Sequence, residues 1–370
     1  MKFFTLFLLL IPFISVADDC KESLSLVKKA VTPAFSREEA EENFNKAISL
    51  CPNLVEAYYE FGRFYLLKNR YIEAEEKFRK ADKIKNRLEH TLGIAFSQVG
   101  KKDYVGAESS FKDAIGRYSG NWQLLQGLAI VYIYTGRYSE AEDLLRQAIQ
   151  EDSSLSSLYL NLGVSLEGLG REDEALLSYK TALQKDSKQV SAAIYLARLQ
   201  LIRDEFNEAK KIIEQAVFIQ PSNSDVITLQ VTVYLYLGEN RKAEELLIRS
   251  KDKLPESMFL SLKAVSDIKS GLGASSLENL KEKYSKNKDD VQIARAYGYA
   301  LSFIGDDLDT AKQVLIDVIQ KNPNDGFSLN NLGAVYEQLG ERDLAKEMFL
   351  RAGKVIPLSS TIRNNLERFQ

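Results

Sequence analysis

The chain has 370 residues, 45% hydrophobic and 27% charged, with a formal net charge of −3. This composition is ordinary for a soluble protein, and the absence of a basic excess disfavours nucleic acid and anionic membrane surfaces as partners.

The first element predicted is a secretory signal over residues 1–17. Lys2 precedes the apolar run Phe3 to Ile14, and Ser15-Val16-Ala17 supplies small residues before a cut ahead of Asp18. The run is too short to span a bilayer comfortably, so no membrane span is expected after cleavage. Asp18 and Asp19 stand before Cys20 where a lipobox needs small residues, so release is favoured over lipidation and over an uncleaved anchor. The chain lacks Asn-x-Ser/Thr sequons and keeps two cysteines, Cys20 and Cys51. An exported, periplasmic location is the expectation.

From residue 21 a pattern recurs with a period of about 34 residues. Gly62, Gly93, Gly163 and Gly333 each follow a large apolar residue. Gly100, Gly170 and Gly340 come seven positions later, and Gly136, Gly238 and Gly305 share their register. Alanines then frame a large side chain, as in Ala74-Phe78-Ala81, Ala107-Phe111-Ala114, Ala141-Leu145-Ala148, Ala175-Tyr179-Ala182 and Ala345-Phe349-Ala352. Proline often follows, at Pro52, Pro221, Pro255, Pro323 and Pro357.

Each period reads as a helix pair, A then B. The first glycine lies inside helix A, where a missing side chain lets helix B approach. The second follows the last turn of A and can take the left-handed conformation that ends it. On this register the third pair carries two extra residues between Lys101 and Gly106, and the ninth one extra near Asp306-Asp307. Residues 18–257 form about seven units and 291–359 two more. Residues 258–290 lack the usual alanines and read as a degenerate unit, a joint between subarrays. The tail, 360–370, places Ile362, Leu366 and Phe369 on one face and reads as a cap helix.

This pattern resembles the tetratricopeptide repeat (TPR) family: a large residue, Leu-Gly, Tyr, then Ala, Phe, Ala and Pro, across most of residues 21–358. The resemblance implies an all-α fold, a right-handed superhelical solenoid of about ten helix pairs. It also implies a concave face lined by A helices that holds protein segments.

By register, positions 2, 5, 6, 9 and 12 of each unit face that groove. They include His90 and Ile94; Gln126 and Ile130; Leu160, Asn161 and Val164; Ile194, Tyr195 and Arg198; Thr228, Leu229 and Thr232; and Tyr299, Asn330 and Asn331. Asn161 and Asn331 match the Leu-Asn-Leu-Gly asparagines that clamp substrate backbone in the resembling O-GlcNAc transferase array.

Catalysis has little support. His90 is the one histidine, and no cysteine or paired carboxylates accompany it. Acidic runs such as "EEAEENF" read as solvated helix faces, and no phosphate-cradling glycine loop is present. No enzyme activity, cofactor or metal is expected. The favoured function is an exported scaffold that binds protein or peptide segments in its groove, in cell-envelope assembly or secretion. The alternative is a structural spacer acting through its convex face and ends. Oligomeric state is not legible.

The cysteines close the account. Cys20 begins the first A helix and Cys51 ends the first B helix; antiparallel packing brings these ends together. With an even count and an oxidising compartment, a Cys20–Cys51 disulfide is expected.

Overall fold

The structure, a computed structural model, describes residues 13–32, 36–305, 307–356 and 359–369. The apolar run before Phe13 lies outside the described residues. Among those described, every regular element is helical, and no strand occurs. The chain divides into two compact units at Ser178 and Tyr179.

The first unit holds α1 (Phe13–Ala30), α2 (Arg37–Leu50), α3 (Val55–Leu67), α4 (Tyr71–Ile84), α5 (Leu88–Gly100), α6 (Tyr104–Arg117), α7 (Trp122–Tyr134), α8 (Tyr138–Glu151) and α9 (Ser156–Gly168). The unit boundary falls within α10 (Glu172–Lys185). The second unit continues with α11 (Val190–Ile202), α12 (Phe206–Ile219), α13 (Ser224–Tyr236), α14 (Asn240–Arg249) and α15 (Glu256–Lys269). It ends with α16 (Gly273–Lys286), α17 (Val291–Ile304), α18 (Leu308–Lys321), α19 (Gly326–Gln338), α20 (Arg342–Val355) and α21 (Ser360–Glu367). Odd-numbered helices up to α19 are A helices and even-numbered ones B helices. Successive pairs stack, so each unit is a run of helical repeats.

Positive φ recurs at Asn69, Lys102, Gly136, Gly170, Asp204, Gly238, Gly271, Gly305 and Gly340, spaced 33 to 35 residues apart. This residue ends helix A. Glycine takes the conformation without a Cβ penalty, whereas Lys102 and Asp204 hold it at a cost of roughly 1–2 kcal/mol.

That series corrects the register of the third pair. Lys102, not Gly100, is its left-handed residue. Gly100 is the last residue of α5 and lies against the Tyr71 ring. The two-residue insertion expected between Lys101 and Gly106 is absent, because α5 and α6 are separated by three residues, as α3 and α4 are. Gly93 caused the misreading. It precedes by two positions Ala95, which is fully buried and occupies the site that Gly62 and Gly163 hold in their helices. The extra residue of the ninth pair does fall between Gly305 and α18.

In each unit the core is built from B-helix side chains driven between A helices. Phe44, Phe78, Phe111, Leu145 and Phe349 are at most 1% exposed, and the alanines flanking them, such as Ala74 and Ala81, are buried too. A Cβ built on Gly62 would stand 2.9 Å from the Phe78 ring, and one on Gly333 2.7 Å from Phe349. Close approach, rather than backbone freedom, fixes these two glycines.

An ion-pair ladder links neighbouring pairs on the surface. Glu41, Glu108 and Glu142 bind Arg70, Arg137 and Arg171 at 2.7, 3.0 and 2.7 Å. In the second unit the signs invert, with Lys210 on Glu239 at 2.6 Å and Lys312 on Glu341 at 3.5 Å. The spacing is 29 residues each time. Lys112 and Arg137 together hold the Glu108 carboxyl below its ordinary range. Exposed pairs of this kind contribute little each, and they fix register more than stability.

Residues 258–290, expected as a joint, fall within the regular pair α15–α16. Ser276 and Leu280 occupy the small and large B-helix positions, at 9% and 1% exposure. Ser276 hydrogen-bonds the buried Asp267, which also pairs with Lys263. Ala264, Ile268 and Leu280 share one apolar cluster with α17 to α21.

In the tail, Ile362 is 2% exposed, Leu366 packs on the same cluster, and the Phe369 ring lies 5.6 Å from Phe349. The helix also reaches back in the chain: the Ser360 amide donates to Asp204 Oδ2 at 3.1 Å, across 156 residues.

The cysteines are joined as expected, Cys20 in α1 to Cys51 at the end of α2, with Cα atoms 5.0 Å apart. Nearby, Ser23 Oγ donates to the Ala47 carbonyl at 2.8 Å.

Candidate functional site

Helix A presents one stripe to helix B and another to the inside of the array. The inner stripe forms a cavity in each unit. The smaller, about 340 Å³, lies in the first unit against Tyr59, Arg63 and Leu66 of α3 and Leu88, Glu89, Leu92 and Phe96 of α5. All of these but Leu88 are groove positions on the corrected register.

His90 and Ile94 therefore leave the groove. His90 is 1% exposed; its Nδ1–H donates to the Lys85 carbonyl at 2.8 Å, and its ring packs 5.4 Å from Tyr59. Ile94 is 7% exposed within the apolar cluster of α1 to α5. The glycine at position 93 shifted both by two residues, which turns a helical side chain by more than half a turn. Gln126, Ile130, Leu160, Asn161 and Val164 are half-buried on α7 and α9.

The larger cavity, about 600 Å³, belongs to the second unit. It brings together six of the sequence-predicted residues: Arg198, Leu229, Thr232, Tyr299, Asn330 and Asn331. Helices α11, α13, α15, α17 and α19 each contribute, and Ile356, Ser359, Thr361 and Ile362 complete the wall. Ile194 packs instead into the α11–α13 cluster, and Thr228 serves through its carbonyl, which accepts from Thr232 Oγ1 at 2.8 Å. Tyr195 stacks on buried Tyr179 with ring centroids 5.5 Å apart, and the Arg198 guanidinium lies 4.6 Å over its ring. Tyr195 supports the fold and carries Arg198 rather than lining the cavity.

Several lining residues escaped the sequence reading. Tyr236 and Lys269 sit in the last turn of their A helices, outside the five register positions. Ser261 and Val265 occupy groove positions in the repeat set aside as degenerate, and Arg295 a groove position in the next. Register finds Ser261 and Val265 once α15–α16 is read as a full repeat, and Arg295 directly.

The cavity has apolar walls and a positive bias. Arg295 is bound to the buried Asp325 at 2.7 Å and to Gln292 at 3.3 Å. Asp204, the carboxylate in the lining, accepts from the Ser360 amide. Lys269 lies 5.8 Å over the Tyr236 ring, which stacks on Phe206 at 4.8 Å. Tyr236 is 46% exposed, and that exposure is to the cavity it lines. Burial there, with the Asp204 charge, pushes its hydroxyl above the ordinary range. Burial and then Tyr236 do the same for Tyr299. Both phenols remain protonated donors at neutral pH. Asn330 accepts from Asn365 at 2.7 Å.

Among the described residues no group of three or more His, Cys, Asp or Glu is placed to hold a metal, and no helix is long and apolar enough to cross a membrane.

Sequence profiles described as Tetratricopeptide repeat match residues 43–76, 98–162, 168–232 and 328–356, covering both units. The chain belongs to the tetratricopeptide repeat family. Among curated relatives, Protein CTR9 homolog of Arabidopsis thaliana is 23% identical over 323 residues, covering 82% of this chain and 30% of that protein. TPR repeat-containing protein YpiA of Bacillus subtilis is 24% identical over 221 residues, 58% of this chain and 51% of its own length. The chain thus spans about half the length of one of these relatives and under a third of the other. Among solved structures, Pseudomonas aeruginosa pilF aligns with a TM-score of 0.47 at 20% identity, over 54% of this chain and 90% of that one. A tetratricopeptide repeat protein from Parabacteroides merdae aligns with a TM-score of 0.48 at 17% identity, over 66% and 97%.

Proposed function

We propose that this TPR protein is a non-catalytic, exported scaffold that holds an extended segment of a partner protein along the inner face of its A helices. The observation that carries the reading is the cavity of about 600 Å³ in the second unit, walled by five successive A helices. Its size falls among ligand-binding pockets, roughly 300–1,000 Å³, and apolar walls with a few converging polar groups are the usual make-up of such sites.

Export is supported by two features. Lys2 with the apolar run to Ile14 and the Ser15-Val16-Ala17 site has the order of a secretory signal. The Cys20–Cys51 disulfide fits an oxidising compartment. A cut after Ala17 would leave Cys20 in the mature chain, within the remainder of α1. A scaffold in such a compartment serves cell-envelope assembly or secretion.

The test is site-specific photocrosslinking in producing cells. A crosslinker at Thr232, inside the cavity, is expected to give discrete adducts. The same group at Phe218, 90% exposed on the B helix α12, should give none. Adducts from Phe218 and none from Thr232 would support a spacer acting through its outer face.

A further inference from the structure

We propose that the cavity of the second unit selects a segment carrying an acidic side chain flanked by apolar ones; this rests on the groove reading above. The argument begins with hydrogen-bonding capacity. The Lys269 ammonium, the Tyr236 and Tyr299 hydroxyls and the Asn331 amide, all in the lining on A helices, have no hydrogen-bond or ion-pair partner among the described residues. Three of them are held by the surrounding structure. Tyr236 stacks on Phe206, Lys269 is poised over Tyr236, and Tyr299 packs against the cluster of α15 to α21.

All four offer donors. An ammonium has donors only, and a protonated phenol and an amide each supply at least one N–H or O–H. A phenol carries its proton at neutral pH, and burial shifts both of these further that way. Three acceptors in the wall are already engaged: Asp204 Oδ2 by the Ser360 amide, Gln292 Oε1 by Arg295, and Asn330 Oδ1 by Asn365. A donor-rich, positively biased hollow suits a carboxylate, whose two oxygens accept several hydrogen bonds, strengthened by charge.

Around these donors the wall is apolar, with Leu229, Val265 and Phe327 among its residues. Apolar side chains on either side of the carboxylate would find contact there, so the occupant is a protein segment rather than a small inorganic anion. A phosphodiester chain is a poorer match. Nucleic-acid binding draws on many cations, and here Arg295 is already neutralised by Asp325.

The experiment uses the full chain and two fluorescein-labelled octapeptides, read by fluorescence anisotropy. One peptide alternates aspartate with leucine and phenylalanine; the other has lysine in place of aspartate. The aspartate peptide is expected to bind at least about tenfold more tightly. Lys269→Ala should weaken it about three- to tenfold and flatten its salt dependence, and Tyr299→Phe should weaken it a few-fold. Circular dichroism should show both variants folded, since Lys269 is exposed and the Phe substitution keeps the packed ring. Equal binding of the two peptides, both blocked by Thr232→Arg, would overturn the anionic preference while leaving the groove reading intact. Tighter binding of an oligouridylate, lost in Lys269→Ala, would overturn it in favour of nucleic acid. Failure of the aspartate peptide to bind at all would also overturn it, and the Thr232 crosslinks would then decide the groove reading independently.

Discussion

Replacing Phe78 with alanine is expected to destabilise the first unit by about 3–5 kcal/mol. The ring is 1% exposed and sits between two A helices, where a Cβ on Gly62 would stand 2.9 Å away and one on Gly93 2.6 Å. Ala74 and Ala81 on the same helix have no side chain long enough to fill the void, so the site cannot collapse well. Repeat arrays are coupled mainly to nearest neighbours, so the loss should be local. Hydrogen exchange should accelerate in α3 to α5 and stay unchanged in the second unit. Gly93→Ala alone should cost about 1–3 kcal/mol through overpacking against the ring. In a Phe78→Ala background the same change should cost much less, because the clash has gone. A double-mutant cycle by urea denaturation measures the difference. Additive costs would show that Gly93 and Phe78 do not share the contact described.

The second large effect is expected from the disulfide. Cys20→Ser with Cys51→Ser should cost about 3–4 kcal/mol in the chain-entropy model for a loop of this size. The sequence separation is 31 residues, and the bond ties α1 to the end of α2. Among the described helices α1 packs on α2 and α3. Its retained contacts are apolar, through Leu26, Val27 and Ala30, plus the Ser23 hydrogen bond to Ala47. Without the bond α1 should exchange its amides first, while the helices of the second unit remain protected. An unchanged exchange rate in α1, in a protein shown to lack the bond, would show that packing alone secures it.

The repeat itself was legible because its physics is local. Ala141-Leu145-Ala148 marks a B helix that must approach closely, and Gly170 or Gly340 marks a left-handed helix end. The disulfide was legible for a similar reason, since antiparallel helices in one pair leave little freedom. Register failed where two glycines imitated the signal. Gly93 and Gly100 are both packed against rings, Phe78 and Tyr71, while Lys102 takes the left-handed position that glycine usually marks. His90 and Ile94 were misplaced as a direct result. The ion-pair ladder went unread because Glu108 and Arg137 are 29 residues apart, and neither is unusual alone. The cavity was half legible. Leu229, Thr232 and Asn331 follow from register, but the back-fold that brings Ser360 to Asp204 crosses 156 residues and has no local signature.

The central claim is that the inner face of the A helices is the binding surface. Its most direct test is amide hydrogen exchange of the full chain, alone and with a saturating concentration of the partner identified through Thr232 crosslinks. Protection is expected in α13, α15, α17 and α19, whose side chains line the cavity, with α14, α16 and α18 unchanged. Protection confined to α14, α16 and α18, with the cavity helices unaffected, would contradict it.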